Sequence, residues 1–438
     1  MLKASKANFA ENEGAVTLRV WKGTCLFTAG RMQKVKGKGV GLMKKILCFL
    51  LSAALIFSLS SCAQGGALSA PADKEPASSV LAVSGEEASV PEEEIIPEPE
   101  PEADNSWQVD QPENHHMDPE VFEALHAALP GSGIHAVVTV KDGVIIDEYY
   151  EEGYDENSLF QIHSASKSFT SALIGIAIDE GYIGGVDDLV ADYLPQLLEQ
   201  EDERKHQLTL RHLLTHTSGL EWYEWGSGYS NWNEFRSAEN WVDYILNRNL
   251  VSAPGTVFNY STGNTHLLSA VLQAATGMTQ EEYCRKHLFD PMGISPQAYW
   301  QTDPQGIADG GNGVIISARD AAKFGQLFLD GGVWKDKQLV PSDWVEQSTS
   351  IQNPGPGDST GAYGYQWWIR THTTGEYGSY TTPYPTASYD TYFAFGYGGQ
   401  MIYVVPELEL VAVFASGCQS SYAPRPYFTD YILNAYMA

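Results

Sequence analysis

Apolar residues recur along this 438-residue chain with two different periods, and the alternation between them lays out a fold. Asp118-Pro119 heads a segment in which Val121, Phe122, Leu125 and Leu129 share one helical face, with Asp as cap and Pro in the first helical position. Ile134–Val140 and Val144–Tyr150 are strand-like and flank Asp142-Gly143, a two-residue hairpin signal. A helix-like apolar run, Phe169 to Ile178, stops near Gly181. Leu208–Leu214, Trp241–Leu250 and Asn264–Ala275 carry a helical period, the last ending before Gly277. Ser317-Ala318-Arg319-Asp320 has the form of a capping box for a helix through Leu329. Strand-like runs return at Tyr363–Ile369, Tyr392–Phe395, Met401–Val405 and Leu410–Ala415, and an amphipathic helix is expected from about Tyr427 to Met437. Strands at both ends and helices between them predict an α+β fold over residues 106–438. In it an antiparallel sheet built from both ends is flanked by helices and carries an inserted all-helical lobe.

The pattern changes upstream. Met43-Lys44-Lys45, the mostly apolar run Ile46 to Phe57, and Leu59-Ser60-Ser61-Cys62 form a basic head, a short apolar core and a small-residue cleavage site. The core is shorter than the roughly 20 residues a spanning helix needs. The segment 43–61 resembles a bacterial lipoprotein signal, which implies a lipid on Cys62, an extracytoplasmic location and membrane attachment by that anchor only. Residues 1–42 fit no role and read as an upstream extension ahead of a true start at Met43. Residues 62–105 are rich in Pro, Glu, Ala and Ser and predict a disordered, self-repelling acidic linker.

The formal charge is −29, and ten of the 26 basic residues precede Cys62 against two of the 55 acidic ones. The rest of the chain is therefore more acidic still, which argues against nucleic acid or an anionic membrane surface as partner. Beyond Cys62 only Cys284 and Cys418 remain, read as buried free thiols rather than a disulfide framework.

Against this frame, Ser164-Ala165-Ser166-Lys167 opens the apolar run at Phe169. Positions i and i+3 share a helix face, so Lys167 is expected one turn from Ser164. A serine hydroxyl needs a base, and burial among Phe169, Ala172 and Leu173 would depress the lysine pKa enough to make it one. The helix N-terminus favours the negative charge that develops at Ser164. Tyr260, on the turn Phe258-Asn259-Tyr260-Ser261-Thr262, offers a second proton-transfer group whose pKa nearby cations would lower. Gly396-Tyr397-Gly398-Gly399-Gln400 lets a substrate approach the backbone, and the N–H groups of Ser164 and Gln400 are candidates for an oxyanion hole. Thr262, Tyr397, Gly398, Gly399, Trp222 and Trp225 are the expected substrate-binding residues. The two tryptophans stand in an aromatic loop with Tyr223, Tyr229 and Trp232.

Residues 115–438 resemble the penicillin-recognising serine hydrolases, the family of class C β-lactamases, DD-peptidases and related esterases and amidases. The resemblance rests on Ser164-x-x-Lys167, on Leu208-Thr209-Leu210-Arg211-His212-Leu213-Leu214-Thr215-His216-Thr217-Ser218-Gly219, on Gly313 to Gly325, and on Tyr363-Gly364-Tyr365-Gln366-Trp367-Trp368. It implies a β-lactamase/transpeptidase-like fold and an acyl-enzyme on Ser164, with Lys167 and Tyr260 as general bases. Two departures stand out: Tyr260-Ser261-Thr262 where the family usually has Tyr-x-Asn, and Tyr397-Gly398-Gly399 where it often has Lys-Thr-Gly. Without that lysine a carboxylate-bearing β-lactam loses a partner, so the pattern is closer to the esterase and 6-aminohexanoate-oligomer hydrolase branch. The expected substrate is a small ester, amide or peptide-like molecule. A DD-peptidase, a β-lactamase, and a catalytically silent surface binding protein on the same scaffold are the alternatives, and the pattern leaves the oligomeric state open.

Two other motifs carry less. Gly357-Asp358-Ser359-Thr360-Gly361 matches a nucleophile elbow but sits in a breaker-rich loop after Asn353-Pro354-Gly355-Pro356, not between strand and helix. His212 and His216 have a zinc-compatible spacing without the accompanying glutamate, and read as structural histidines. No metal or cofactor is expected.

Overall fold

The computed structural model describes residues 107–224, 230–357, 360–371 and 389–437. The expectations for residues 1–105, for Cys62, Trp225 and Tyr229, and for the Asp358-Ser359 motif lie outside them. The two-residue turn appears as read: Asp142 and Gly143 both take positive φ, and strands β1 (Ile134–Lys141) and β2 (Val144–Tyr150) pair across them. Three short strands follow in sequence, β3 (Leu159–Gln161), β4 (Tyr299–Trp300) and β5 (Val314–Ser317), and form a small separate sheet. The C-terminal half adds β6 (Ala362–Tyr363), β7 (Trp368–Arg370), β8 (Thr391–Gly396), β9 (Gln400–Val405) and β10 (Leu410–Ser416). These join β1 and β2 in a seven-stranded sheet of order β2-β1-β10-β9-β8-β7-β6, antiparallel throughout. The first and last strands thus meet where β1 pairs β10, as the distribution of strands implied.

Period-two alternation divides this sheet between two cores. Val138, Val140, Ile402, Val404, Val411 and Val413 face the larger, helical side, while Val137, Met401, Tyr403, Val405, Ala412 and Phe414 face a smaller cluster. The smaller cluster is closed by α1 (Pro119–Ala128) and the C-terminal turns, with Phe122, Leu125, Phe428 and Ile432 fully packed. The inner face receives α7 (Ala318–Leu329), which lies against β10, β9 and β1. Between them runs the helical lobe: α2 (Ser166–Asp179), α3 (Leu210–Leu214), α4 (Trp232–Ser237), α5 (Trp241–Leu246) and α6 (Thr262–Thr276). Apart from its last two residues α2 is buried along its length, because it is the axle on which sheet and lobe pack: it meets both α6 and β8.

Three boundaries differ from the sequence pattern. Tyr363–Ile369 is not one strand but the hairpin β6–β7, because Gly364 approaches the Ser348 backbone and Gln366 takes a positive φ of 65°. The helix from Trp241 stops at Leu246, and Leu250 instead bridges Leu220. The C-terminal helix breaks into short turns of different pitch, Arg425–Tyr427, Phe428–Ile432 and Leu433–Ala435.

Candidate active site

Ser164 lies in a single 3-10 turn, His163–Ala165, that feeds directly into α2. His163 takes a left-handed φ of 48°, turning the chain sharply before the serine. Behind the turn, β8 ends at Gly396, whose absent side chain admits the Ile162 carbonyl: a Cβ there would sit 2.2 Å from that oxygen. The sheet edge therefore presses on the turn that carries Ser164.

One helical turn on, Lys167 is 1% exposed. Its Nζ donates to the Gly311 carbonyl at 2.8 Å, to Thr262 Oγ1 at 3.0 Å and to Ser164 Oγ at 3.1 Å. Burial pulls its pKa down from 10.5 to about 8, against the opposing charges of Glu224 and Asp309. Tyr260 shares a side-chain hydrogen bond with Ser164, and its ring centroid is 4.9 Å from Lys167 Nζ. It is enclosed by His216, Tyr363 and Trp368. This apolar setting decides its ionisation. The expected lowering by cations does not occur; burial pushes the phenol well above its usual value, so Tyr260 is a protonated hydroxyl at neutral pH.

In front of these groups opens a cleft of about 740 Å³. Ser164, His163, Tyr397 and Glu224 line it, with Trp232, Ser230 and Arg236 from the helical lobe and the amides Gln161, Gln301 and Asn312. Tyr397 is 60% exposed at the cleft mouth and meets His163 edge-on. Gly398 and Gly399 take positive φ in the same turn, closing the β8–β9 hairpin. Gln400 is buried in β9 opposite Gly396, and its side chain binds the Ser416 backbone in both directions.

Two residues expected on the substrate surface are elsewhere. Trp222 is 3% exposed in the helical core, packed on Phe235 and in the slot that Gly263 leaves open. Among the described residues of the aromatic loop, Trp232 lines the cleft. Thr262 is fully buried behind Lys167. Its Oγ1 donates to Glu224 Oε1 at 2.5 Å, and its N–H donates to Glu224 Oε2 at 2.9 Å. Glu224 and Arg236 were not evident in the sequence. Arg236 lies over the Trp241 ring at 4.4 Å and pairs with Asp309, a fully buried carboxylate, at 2.5 Å. His212 and His216 do not converge: His212 Nδ1 accepts from Thr209 N–H, while the His216 ring packs at a tilt against Tyr260. Among the described residues no group of three His, Cys, Asp or Glu could hold a metal, and Cys284 and Cys418 are buried free thiols.

Comparison with known proteins places this geometry. A 6-aminohexanoate-dimer hydrolase of Paenarthrobacter ureafaciens is 24% identical over 55% of this chain, and the match spans 65% of that relative, just under two thirds of its length. Penicillin-binding protein 4* of Bacillus subtilis is 35% identical over a shorter stretch, 32% of this chain and 30% of its own. An octameric penicillin-binding protein homologue from Pyrococcus abyssi superposes with a TM-score of 0.56 at 20% identity, covering 72% of this chain and 77% of that one, so the fold is shared. The Beta-lactamase family model matches residues 121–436, most of the chain, and the protein belongs to that family.

Proposed function

We propose that this chain is a serine hydrolase that cleaves a small carboxylic ester or amide through an acyl-enzyme on Ser164. The observation that carries the reading is the fully buried Lys167 amine 3.1 Å from Ser164 Oγ, with a pKa brought near 8 by burial. In its neutral form Lys167 takes the Ser164 proton as Oγ attacks the substrate carbonyl. The Ser164 N–H supplies one oxyanion donor. The 397–400 turn supplies the second, and Tyr397, which faces the cleft, is a stronger candidate than the buried Gln400. Tyr260, protonated, serves as the acid that hands a proton to the leaving group rather than as a second base. Water then enters by the reverse path and frees Ser164.

A second reading is favoured by one residue. Tyr397 offers no charge to a substrate carboxylate, but Arg236 brings a guanidinium to the same cleft, which suits a carboxylate-bearing amide such as a β-lactam or a peptide C-terminus. Purified protein and its Ser164→Ala variant, assayed side by side on p-nitrophenyl butyrate and nitrocefin, separate the readings. Serine-dependent ester turnover with little nitrocefin turnover supports the first, and strong nitrocefin turnover moves the protein to the second. No turnover and no fluorophosphonate labelling of Ser164 would leave a silent binding scaffold.

We also propose that Cys62 carries a lipid that anchors the domain outside the cytoplasmic membrane, on the strength of the 43–61 segment. Cys62→Ser should release the protein from the membrane fraction; unchanged fractionation would refute the anchor.

A further inference from the structure

A lysine acts as a base through a lone pair, and that lone pair must point at the proton it takes. Neutral Lys167 has two N–H bonds and one lone pair to distribute over three oxygen neighbours, Gly311 O, Thr262 Oγ1 and Ser164 Oγ. Gly311 O is a carbonyl and can only accept, so it takes one N–H. Thr262 Oγ1 could accept or donate, and the outcome decides the site. If it accepted, the lone pair would be left for Ser164. If it donated, the lone pair would be occupied and Lys167 would offer Ser164 a proton instead of a vacancy.

Glu224 removes the choice. Its Oε1 accepts a charge-assisted hydrogen bond from the Thr262 hydroxyl, leaving Thr262 only lone pairs to show to Lys167. Glu224 is itself held in place, because Oε2 accepts from two groups that can only donate, the Thr262 N–H and the Trp222 indole N–H. Trp222 in turn is fixed in the core. We propose that Glu224 and Thr262 form a positioning pair that aims the Lys167 lone pair at Ser164 Oγ. The inference rests on Ser164 being the nucleophile. In the step itself the Ser164 proton passes to Lys167 Nζ as the Oγ–C bond forms and the carbonyl π pair moves to oxygen. The ammonium then faces all three oxygens with an N–H and later returns the proton. Neither Thr262 nor Glu224 gains or loses one.

Glu224→Gln tests the polarity. The two fixed donors demand the amide oxygen, which turns the amide NH₂ toward Thr262 Oγ1 and sends the threonine proton toward Lys167. The expected result is a loss in kcat of at least about 100-fold with little change in KM, the scale of a misdirected general base. A second readout is independent of packing. The charged and titratable groups around Lys167 are Glu224, Asp309, Tyr260, His163 and His216. Glu224 favours the ammonium, so its neutralisation should move the rising limb of the kcat/KM profile to lower pH. Thr262→Val should lose activity on the same scale and Thr262→Ser should keep it within a few-fold. The Glu224→Gln/Thr262→Val double variant should be no worse than Thr262→Val alone. Full activity and an unmoved limb in Glu224→Gln, full activity in Thr262→Val, or losses that multiply in the double variant would each overturn the pair. Should Glu224→Gln fail to fold, the threonine pair still decides. Wild-type turnover and fluorophosphonate labelling are measured first: if both fail, the hydrolase reading falls and takes this pair with it, whereas an active wild type with unaffected variants overturns the pair alone.

Discussion

The pH dependence of turnover tests the lysine base most directly. With a pKa of about 8, Lys167 is about one-tenth neutral at pH 7, half neutral at pH 8 and nine-tenths neutral at pH 9. If the neutral form is the base, kcat/KM for p-nitrophenyl butyrate should climb roughly tenfold from pH 7 to pH 9, with its midpoint near 8. The sign is fixed: the protonated lysine has no lone pair, so activity is lost as pH falls. Two other cleft groups could in principle shape the curve, and both are separable. His163 is buried enough that its pKa falls below the ordinary 6.5, so a limb belonging to it would lie below that pH. Tyr260 stays protonated across the whole range, so it adds no descending limb. Lys167→Arg, permanently charged, should be inactive at every pH. Initial rates between pH 5.5 and 9.5, corrected for spontaneous ester hydrolysis, give the curve. A midpoint below the ordinary histidine value of 6.5 would transfer the base role to His163, and a flat profile from pH 7 to 9 would refute a titrating lysine altogether.

Two further substitutions probe the frame around the site. Arg236→Ala strips the hydrogen-bonded ion-pair partner from Asp309, which has no exposed surface and keeps only the more distant charges of Lys167 and His266, and breaking such a buried pair should cost up to about 3–5 kcal/mol in urea unfolding. Adding Asp309→Asn should recover much of that, and no recovery would mean the arginine acts through packing on Trp241 instead. Gly310→Ala would place a Cβ 1.9 Å from Ser269 Oγ and 2.8 Å from Thr170 Oγ1, at about 1–3 kcal/mol. Because the next residue carries the carbonyl that holds Lys167, turnover should fall too, and a stable, fully active variant would show that this segment yields freely.

The parts of the site legible in the sequence are those whose geometry is local. Ser164 and Lys167 are one helical turn apart, so a spacing of three suffices to bring them together, and the alternating runs from Ile134 and Met401 name their own buried faces. Glu224 has no such signature. It comes from a loop that precedes Thr262 by 38 residues, carried there by the packing of Trp222 into the gap at Gly263 and by hydrogen bonds from Asn259 and Ser230 to the loop backbone. A glycine early in an otherwise apolar helix was the one available hint that a large ring sits against it. The same packing explains why Trp222 misleads. An aromatic-rich loop announces burial of rings without saying which ring goes into the core and which, like Trp232, is left for the cleft. Tyr260 misleads for a related reason: apart from the Lys167 amine its close neighbours are aromatic rings that bury it, and they come from segments as distant as Trp368.

This bears on the first of the two departures from the family pattern. Where the second motif ends in asparagine, an amide beside the lysine has its own fixed donor and acceptor ends. A threonine hydroxyl rotates, and alone it would leave the lysine's lone pair undirected. Thr262 is therefore intelligible only together with Glu224, which holds that rotor in a single sense. The departure at Thr262 and the acid at Glu224 are one feature of the site, and neither should be exchanged without the other.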